Sequence, residues 1–240
     1  MKQGDSLHSD FTYSGTDNLE AMAAARNYNA FLVRTLARHL RGRKEILDFG
    51  AGIGYFAGKM REIGFSMTCI EPDPALAGQL RERAFACAAS LQAVGAEKFA
   101  GAYALNVLEH IENDDAVLQQ LHRVLAPDGL LVLYVPAFQI LFSSMDRKVG
   151  HLRRYRARPL MRKMRAQGFH ILHCSYADVL GFLASLLFRI LGNPRGDLDP
   201  LGLKAFDRYA FPLSRLLDRI TSPWVGKNLL IVARKRTRIR

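Results

Sequence analysis

The chain is expected to form an α/β fold, a doubly wound and mostly parallel seven-stranded sheet, and three features carry that expectation. Short apolar runs alternate with helical stretches from Lys44 to Pro136. The first run, Ile46-Leu47-Asp48-Phe49, passes straight into Gly50-Ala51-Gly52-Ile53-Gly54, a turn whose glycines let the backbone bend sharply and approach a ligand. A lone acid, Glu71, closes the next apolar run about twenty residues later, where a carboxylate at a strand end can accept both hydroxyl protons of a ribose.

Each element follows from its local pattern. Residues from Met22 to Leu40 read as a helix ahead of the sheet, with Tyr28 and Phe31 available to pack on it. Strands are expected at 45–49, 66–71, 90–94, 101–107 and 129–135, with helices at 54–63, 75–87 and 114–125 between them. Pro127-Asp128-Gly129 is a turn signal that separates the last of these helices from the run Leu130 to Val135. A helix at 157–167, a strand at 169–175, helices at 178–191 and 203–219, and a final strand at 228–234 complete the pattern. One domain over 1–240 is expected: a helical cap at 1–43, a ligand-binding core at 44–136, and a second half at 137–240 carrying a helical insertion over about 177–226.

Composition narrows the class. The three cysteines, Cys69, Cys87 and Cys174, are unclustered and odd in number, which points away from a disulfide framework or a zinc site and toward a reducing compartment. Residues 1–20 lack an apolar stretch, and the longest apolar run, Val179 to Leu191, contains Arg189 and is too short to span a bilayer, so a cytoplasmic protein is expected. Charge is uneven: residues 1–146 hold 13 Lys or Arg against 17 Asp or Glu, and residues 147–240 hold 21 against 5. Such asymmetry implies an acidic partner for the second half, whether a phosphorylated small molecule, anionic lipid or nucleic acid.

Glycine spacing separates two nucleoside-binding families. A dinucleotide fingerprint wants Gly-x-Gly-x-x-Gly, but Gly54 arrives one position early and Tyr55 stands where the third glycine would be. The form Asp48-Phe49-Gly50-Ala51-Gly52-Ile53-Gly54 instead resembles the first motif of class I S-adenosylmethionine-dependent methyltransferases, with their Rossmann-like fold. That resemblance implies S-adenosyl-L-methionine as cofactor and S-adenosyl-L-homocysteine as product. It places Asp48, Gly50, Ala51, Gly52 and Gly54 around the amino-acid end, Glu71 with Pro72 at the ribose, and Tyr28 and Asn106 in contact with the cofactor as well. Core packing is the competing role for Tyr28.

The acceptor should lie beyond the carboxyl ends of the strands. Asn106-Val107-Leu108-Glu109-His110-Ile111 is similar to the fourth-strand motif of class I small-molecule methyltransferases. Some quinone-type members carry a further glutamate three residues before the Glu-His and hold a divalent metal with the set; here that position is Asn106, and no metal is expected. Asp146 and Gly150-His151-Leu152-Arg153-Arg154-Tyr155 resemble a signature of a bacterial subfamily associated with glycan, polyketide or lipid-linked pathways.

The resulting acceptor-binding set is Glu109, Phe138, Phe142, Asp146, Arg153 and Arg154, the two arginines suiting a phosphate or carboxylate and the phenylalanines an apolar wall. His110, His151 and, more weakly, Tyr155 are candidates to take a proton from a hydroxyl acceptor. Arg158, Arg162 and Arg165 recur at helical spacing and read as a solvated face. Phe182, Leu183, Leu186, Leu187 and Ile190 read as a lid or dimer face, and the nearby Arg189, Arg195, Lys204, Arg208, Arg215 and Arg219 allow contact with the inner, anionic face of a membrane.

A small-molecule, lipid- or glycan-linked anionic acceptor is therefore expected, with nucleic acid disfavoured because aromatic residues do not interleave with the basic run. An RNA methyltransferase, an enzyme that cyclises the cofactor and a cofactor-binding regulatory protein remain as alternatives.

Overall fold

The computed structural model describes residues 25–191 and 199–236; Met22 to Ala24, Arg195 and the end of the basic tail lie outside the described residues. Seven strands form one sheet in the order β3-β2-β1-β4-β5-β7-β6. They are β1 (Glu45–Phe49), β2 (Ser66–Ile70), β3 (Ala86–Ala88), β4 (Phe99–Leu105), β5 (Leu125–Pro136), β6 (Phe169–Ala177) and β7 (Asn228–Lys235). The first five run parallel, with Asp48 opposite Cys69 and Tyr103, while β7 inserts antiparallel between β5 and β6.

Helices cover both faces, as a parallel sheet buried on each side requires. On one face α1 (Arg26–His39), α2 (Tyr55–Glu62) and α3 (Pro74–Glu82) contribute Leu32, Leu36, Met60 and Leu80 to the core. On the other, α4 (Asp114–Val124) and α6 (Ala157–Ala166) contribute Leu118, Leu121, Leu160 and Met164. Arg158, Arg162 and Arg165 are exposed while Leu160 and Met164 of the same helix are buried, which is the solvated face expected of that spacing. Between β5 and α6 lies the short α5 (Ser144–Lys148). Between β6 and β7 come α7 (Val179–Leu191), α8 (Pro200–Ala205), a π-helical turn (Phe206–Ala210) and α9 (Phe211–Thr221).

Three expectations needed correction. The strand expected at 90–94 is a short 3-10 turn at Leu91–Ala93, and β2 pairs with Ala86–Ala88 instead. Small side chains suffice at that outer edge, whereas Leu91 and Val94 turn inward as core anchors. The helix expected to reach residue 87 stops at Glu82: Ala84 adopts φ 57°, and the Phe85 N–H returns to the Leu80 carbonyl, burying the Phe85 ring. The Pro127-Asp128-Gly129 turn lies inside β5 rather than before it. Pairing jumps from Phe99–Leu125 to Gly101–Leu130, so three extra residues bulge out, with Asp128 at φ 58°.

The insertion is tied to the start of the described chain by an unusual cap. Helix α1 has no capping side chain of its own, and Asp207 of the π turn accepts from the Asn27 N–H at 3.0 Å and the Tyr28 N–H at 2.9 Å. A carboxylate on the free N–H groups of a helix start is the favourable sign for the helix dipole. This clamp sets the insertion as a roof over the carboxyl ends of β4 and β5.

Candidate functional site

The glycine turn is held by its own geometry. Gly50 sits at φ 78°, and a Cβ there would lie 2.5 Å from a Val107 methyl carbon. Gly54, at φ 73°, starts α2 and would meet a Leu80 methyl carbon at 2.4 Å. The Gly50 and Ala51 N–H groups donate to the Ile70 carbonyl, folding the loop over the end of β2.

Glu71 braces the same loop. One carboxylate oxygen accepts from the Gly52 N–H at 2.7 Å, and the other accepts from the Asp73 N–H at 3.0 Å. A carboxylate has lone pairs beyond these two bonds, so hydroxyl donors can still be accepted. Burial raises the Glu71 pKa, opposed by the two N–H bonds. Asp48 is buried under the turn and accepts from the Tyr103 hydroxyl at 2.8 Å; burial pushes its carboxyl up to about 7. Pro72 is exposed beside Glu71. Asn106, at φ 53°, aims its side-chain amide at the Tyr28 hydroxyl 3.5 Å away. Tyr28 packs edge-on against Tyr134 and Phe211, which is the core-packing role, and its ring also borders the cleft. A glycine cradle that a Cβ would fill, an acid at the end of β2 and a polar rim at Asn106 fit an adenosyl amino acid.

Past Asn106 lies a cavity of about 240 Å³, lined on the sheet side by His110, His151, Arg154 and Lys227 and roofed by Phe206 and Phe211. The structure brings the expected acceptor-binding residues Glu109, Asp146 and Arg154 together with the proton-taking candidates His110 and His151. Asp146 accepts from Arg154 through two bonds, at 2.8 and 2.9 Å, and its other close neighbour is Nδ1 of His151 at 2.7 Å. Burial works against the Asp146 charge, but the bonds from His151 and Arg154 hold its carboxyl well below the usual range. Glu109 is fully buried with both carboxylate oxygens lacking a hydrogen-bond partner among the described residues, and burial pushes it up to about 8. Burial and the neighbouring His151 pull the His110 imidazole down to about 4.

Other expected residues sit elsewhere. Tyr155 is buried behind the cavity, its hydroxyl donating toward the Leu108 carbonyl at 3.0 Å and lying 3.1 Å from Asp114; burial pushes its phenol far above the ordinary value. Arg153 turns away to the Glu112 carbonyl and Asp114, so the two adjacent arginines do not form a joint clamp. Phe138 stacks on Tyr176, and Phe142 follows the 3-10 turn Gln139–Leu141; Met145 and Val149 line the cavity in their place.

Lys227 is a site residue that no local sequence pattern marks by itself. Because β7 runs antiparallel, its first residue Asn228 pairs with Pro136, which delivers the preceding Lys227 to the carboxyl-end rim of the parallel strands. The signal was the Gly-Lys-Asn step before the last strand, legible only once that strand's direction is known. Burial pulls the Lys227 ammonium below its ordinary pKa, partly offset by Asp178.

A family model for a methyltransferase domain matches residues 21–174. No curated protein matches the chain. Among solved structures, the fold is similar to a SAM-dependent methyltransferase of Thermotoga maritima described as a possible histamine N-methyltransferase, at TM-score 0.65 and 14% identity over 92% of this chain and 95% of that one. It is also similar to the Burkholderia thailandensis 1,6-didemethyltoxoflavin-N1-methyltransferase with bound S-adenosylhomocysteine, at TM-score 0.58 and 20% identity over 93% and 83% of the two chains. The [4+2]-cyclase SpnF matches at TM-score 0.55 and 20% identity over 86% and 80%.

Proposed function

We propose that this chain, which belongs to the methyltransferase-domain family and is a class I S-adenosylmethionine-dependent enzyme, methylates a small anionic acceptor carried at a lipid surface. The cofactor supplies a methyl group already activated on a sulfonium, so the protein has to align the acceptor, exclude water and manage a proton where the acceptor atom carries one. The 50–54 turn and Glu71 would hold the cofactor, with Asn106 and Tyr28 at the mouth of the acceptor cavity.

Lys227 supports an anionic acceptor. Its ammonium has no hydrogen-bond or ion-pair partner among the described residues, faces the cavity and is half-buried, so an acceptor carboxylate or phosphate would meet an incompletely compensated cation. Arg154 also borders the cavity, but its guanidinium is already committed to Asp146. Handling of a hydroxyl proton falls to the Glu109, His110 and His151 cluster, with Tyr155 holding the wall behind it.

The observation that carries the lipid assignment is the two-sided roof. Phe206 and Phe211 face the cavity, while Leu213, Leu216, Ile220 and Trp224 on and just after α9 are exposed at 51%, 54%, 71% and 69%, beside exposed Lys204, Arg208 and Arg219. Apolar side chains with a tryptophan, flanked by cations, match the interface of an anionic bilayer. No helix among the described residues is long and apolar enough to cross a membrane, which leaves a peripheral contact. The exposed arginines of α6 lie on the opposite face of the sheet from α1, away from this cavity, and so lend no support to an RNA acceptor.

The test is incubation with methyl-labelled cofactor and a cell extract separated into lipid, water-soluble and RNA pools. Label in an anionic lipid-linked product is expected; label confined to RNA or to the water-soluble pool would overturn the lipid assignment.

A further inference from the structure

We infer that Glu109, His110 and His151 form a site for one divalent first-row cation of the zinc or manganese type, set in the wall of the acceptor cavity. Asn106, three residues before Glu109, supplies no carboxylate, so the local sequence predicts no metal. The structure assembles a different third ligand, from a loop 41 residues beyond His110.

Three observations meet here. One potential ligand atom from each of the three side chains falls within 4.8 Å of the others, a spacing that a single ion can bridge. Nε2 of His151 stands 3.7 Å from a Glu109 oxygen, too far for a hydrogen bond, and the two imidazoles meet nearly at right angles with centroids 4.7 Å apart. Glu109 is 0% exposed with neither oxygen hydrogen-bonded among the described residues. A buried carboxylate without partners is costly, and a bound cation would remove that cost.

Outer contacts fit the same conclusion. Nδ1 of His151 is held by Asp146, and Asp146 is fixed in turn by Arg154, the arrangement that orients a metal-binding imidazole through its other nitrogen. The His110 ring is steadied by the Gly150 backbone. Asn106 is turned instead toward Tyr28. Two imidazoles and one carboxylate suit zinc, manganese or ferrous iron better than magnesium, which prefers an oxygen shell. His110 and His151 both line the cavity, which supplies the entry path and leaves room for an acceptor oxygen as a further ligand. With the metal bound, the cluster would handle the hydroxyl proton through the ion rather than as a general base: coordination would lower the pKa of an acceptor hydroxyl, its proton passing to solvent. That role rests on the methyl-transfer reading, whereas the site itself does not.

Metal-stripped full-length protein is titrated calorimetrically with Zn2+ and Mn2+, with Mg2+ for comparison, and S-adenosylhomocysteine affinity is measured on the same samples. One Zn2+ or Mn2+ per chain is expected, with little uptake of Mg2+. Glu109→Gln keeps the side-chain shape and should retain the fold while weakening the metal about 100-fold or more, because even partners one shell further out cost 10 to 100-fold. His151→Gln should do the same, which separates this site from surface histidines such as the His39 and His173 pair. Both variants should keep their S-adenosylhomocysteine affinity. Absence of stoichiometric uptake, or equal uptake by the wild type and both variants, would overturn the metal site and leave methyl transfer standing. Normal metal uptake without S-adenosylhomocysteine binding would do the reverse.

Discussion

Replacing Glu71 with glutamine asks how much of the cofactor loop depends on one carboxylate. In the native structure each oxygen takes one backbone N–H, from Gly52 at 2.7 Å and from Asp73 at 3.0 Å, and the residue is only 6% exposed. A glutamine offers one acceptor oxygen and turns an NH2 toward the other N–H, so one bond is lost and two donors face each other. A hydrogen bond to a charged group contributes roughly 1.5 to 3 kcal/mol. Neutralising the side chain recovers part of its burial cost, so a loss near the lower end, about 1.5 kcal/mol, is expected in the stability of the free protein. The same change should weaken S-adenosylhomocysteine by about tenfold or more, since 1.36 kcal/mol is a factor of ten and the ribose would lose its charged acceptor as well. Urea unfolding and calorimetric titration at pH 7 read the two quantities separately. Unchanged stability together with unchanged affinity would refute the bracing role.

Three further substitutions probe other parts of the site. Burial pushes Asp48 from 3.8 to about 7, so between those values the folded chain holds a proton that the unfolded chain has released; this stabilising contribution is complete below about pH 4 and lost as pH rises through 7. Asp48→Asn should abolish that slope, worth at most about 4 kcal/mol, and identical pH profiles of urea unfolding for both proteins would contradict it. Gly50→Ala places a Cβ 2.5 Å from Val107 at φ 78°, and should cost at least about 1 to 2 kcal/mol in thermal unfolding while weakening S-adenosylhomocysteine; a native melting profile with native affinity would show that the loop relaxes freely. Tyr155→Phe removes contacts to the Leu108 carbonyl and Asp114, so a stability loss of about 1 to 3 kcal/mol with cofactor affinity intact is expected, and an inactive variant of full stability would restore Tyr155 as a proton carrier.

Patterns of short range were enough to read the sheet, its helical layers and the cofactor turn. A strand, a glycine turn and an acid at the next strand's end are contiguous in the chain, and side-chain size with hydrophobic period sets them locally. Pairing overruled the local signal at two places: Pro127-Asp128-Gly129 bulges within β5 because β4 pairs with that strand both before it, at Leu125, and after it, from Leu130, and β3 settled on Ala86–Ala88 because Leu91 is needed in the core. The sequence alone therefore determined a doubly wound domain with a nucleoside-binding turn. Only the tertiary structure decided which charged groups meet: Arg154 joins Asp146 while its neighbour Arg153 turns to Asp114, Lys227 reaches the cavity through an antiparallel strand, and His151 crosses to Glu109. Such meetings depend on strand direction and loop closure across dozens of residues, and no local pattern of side chains records either.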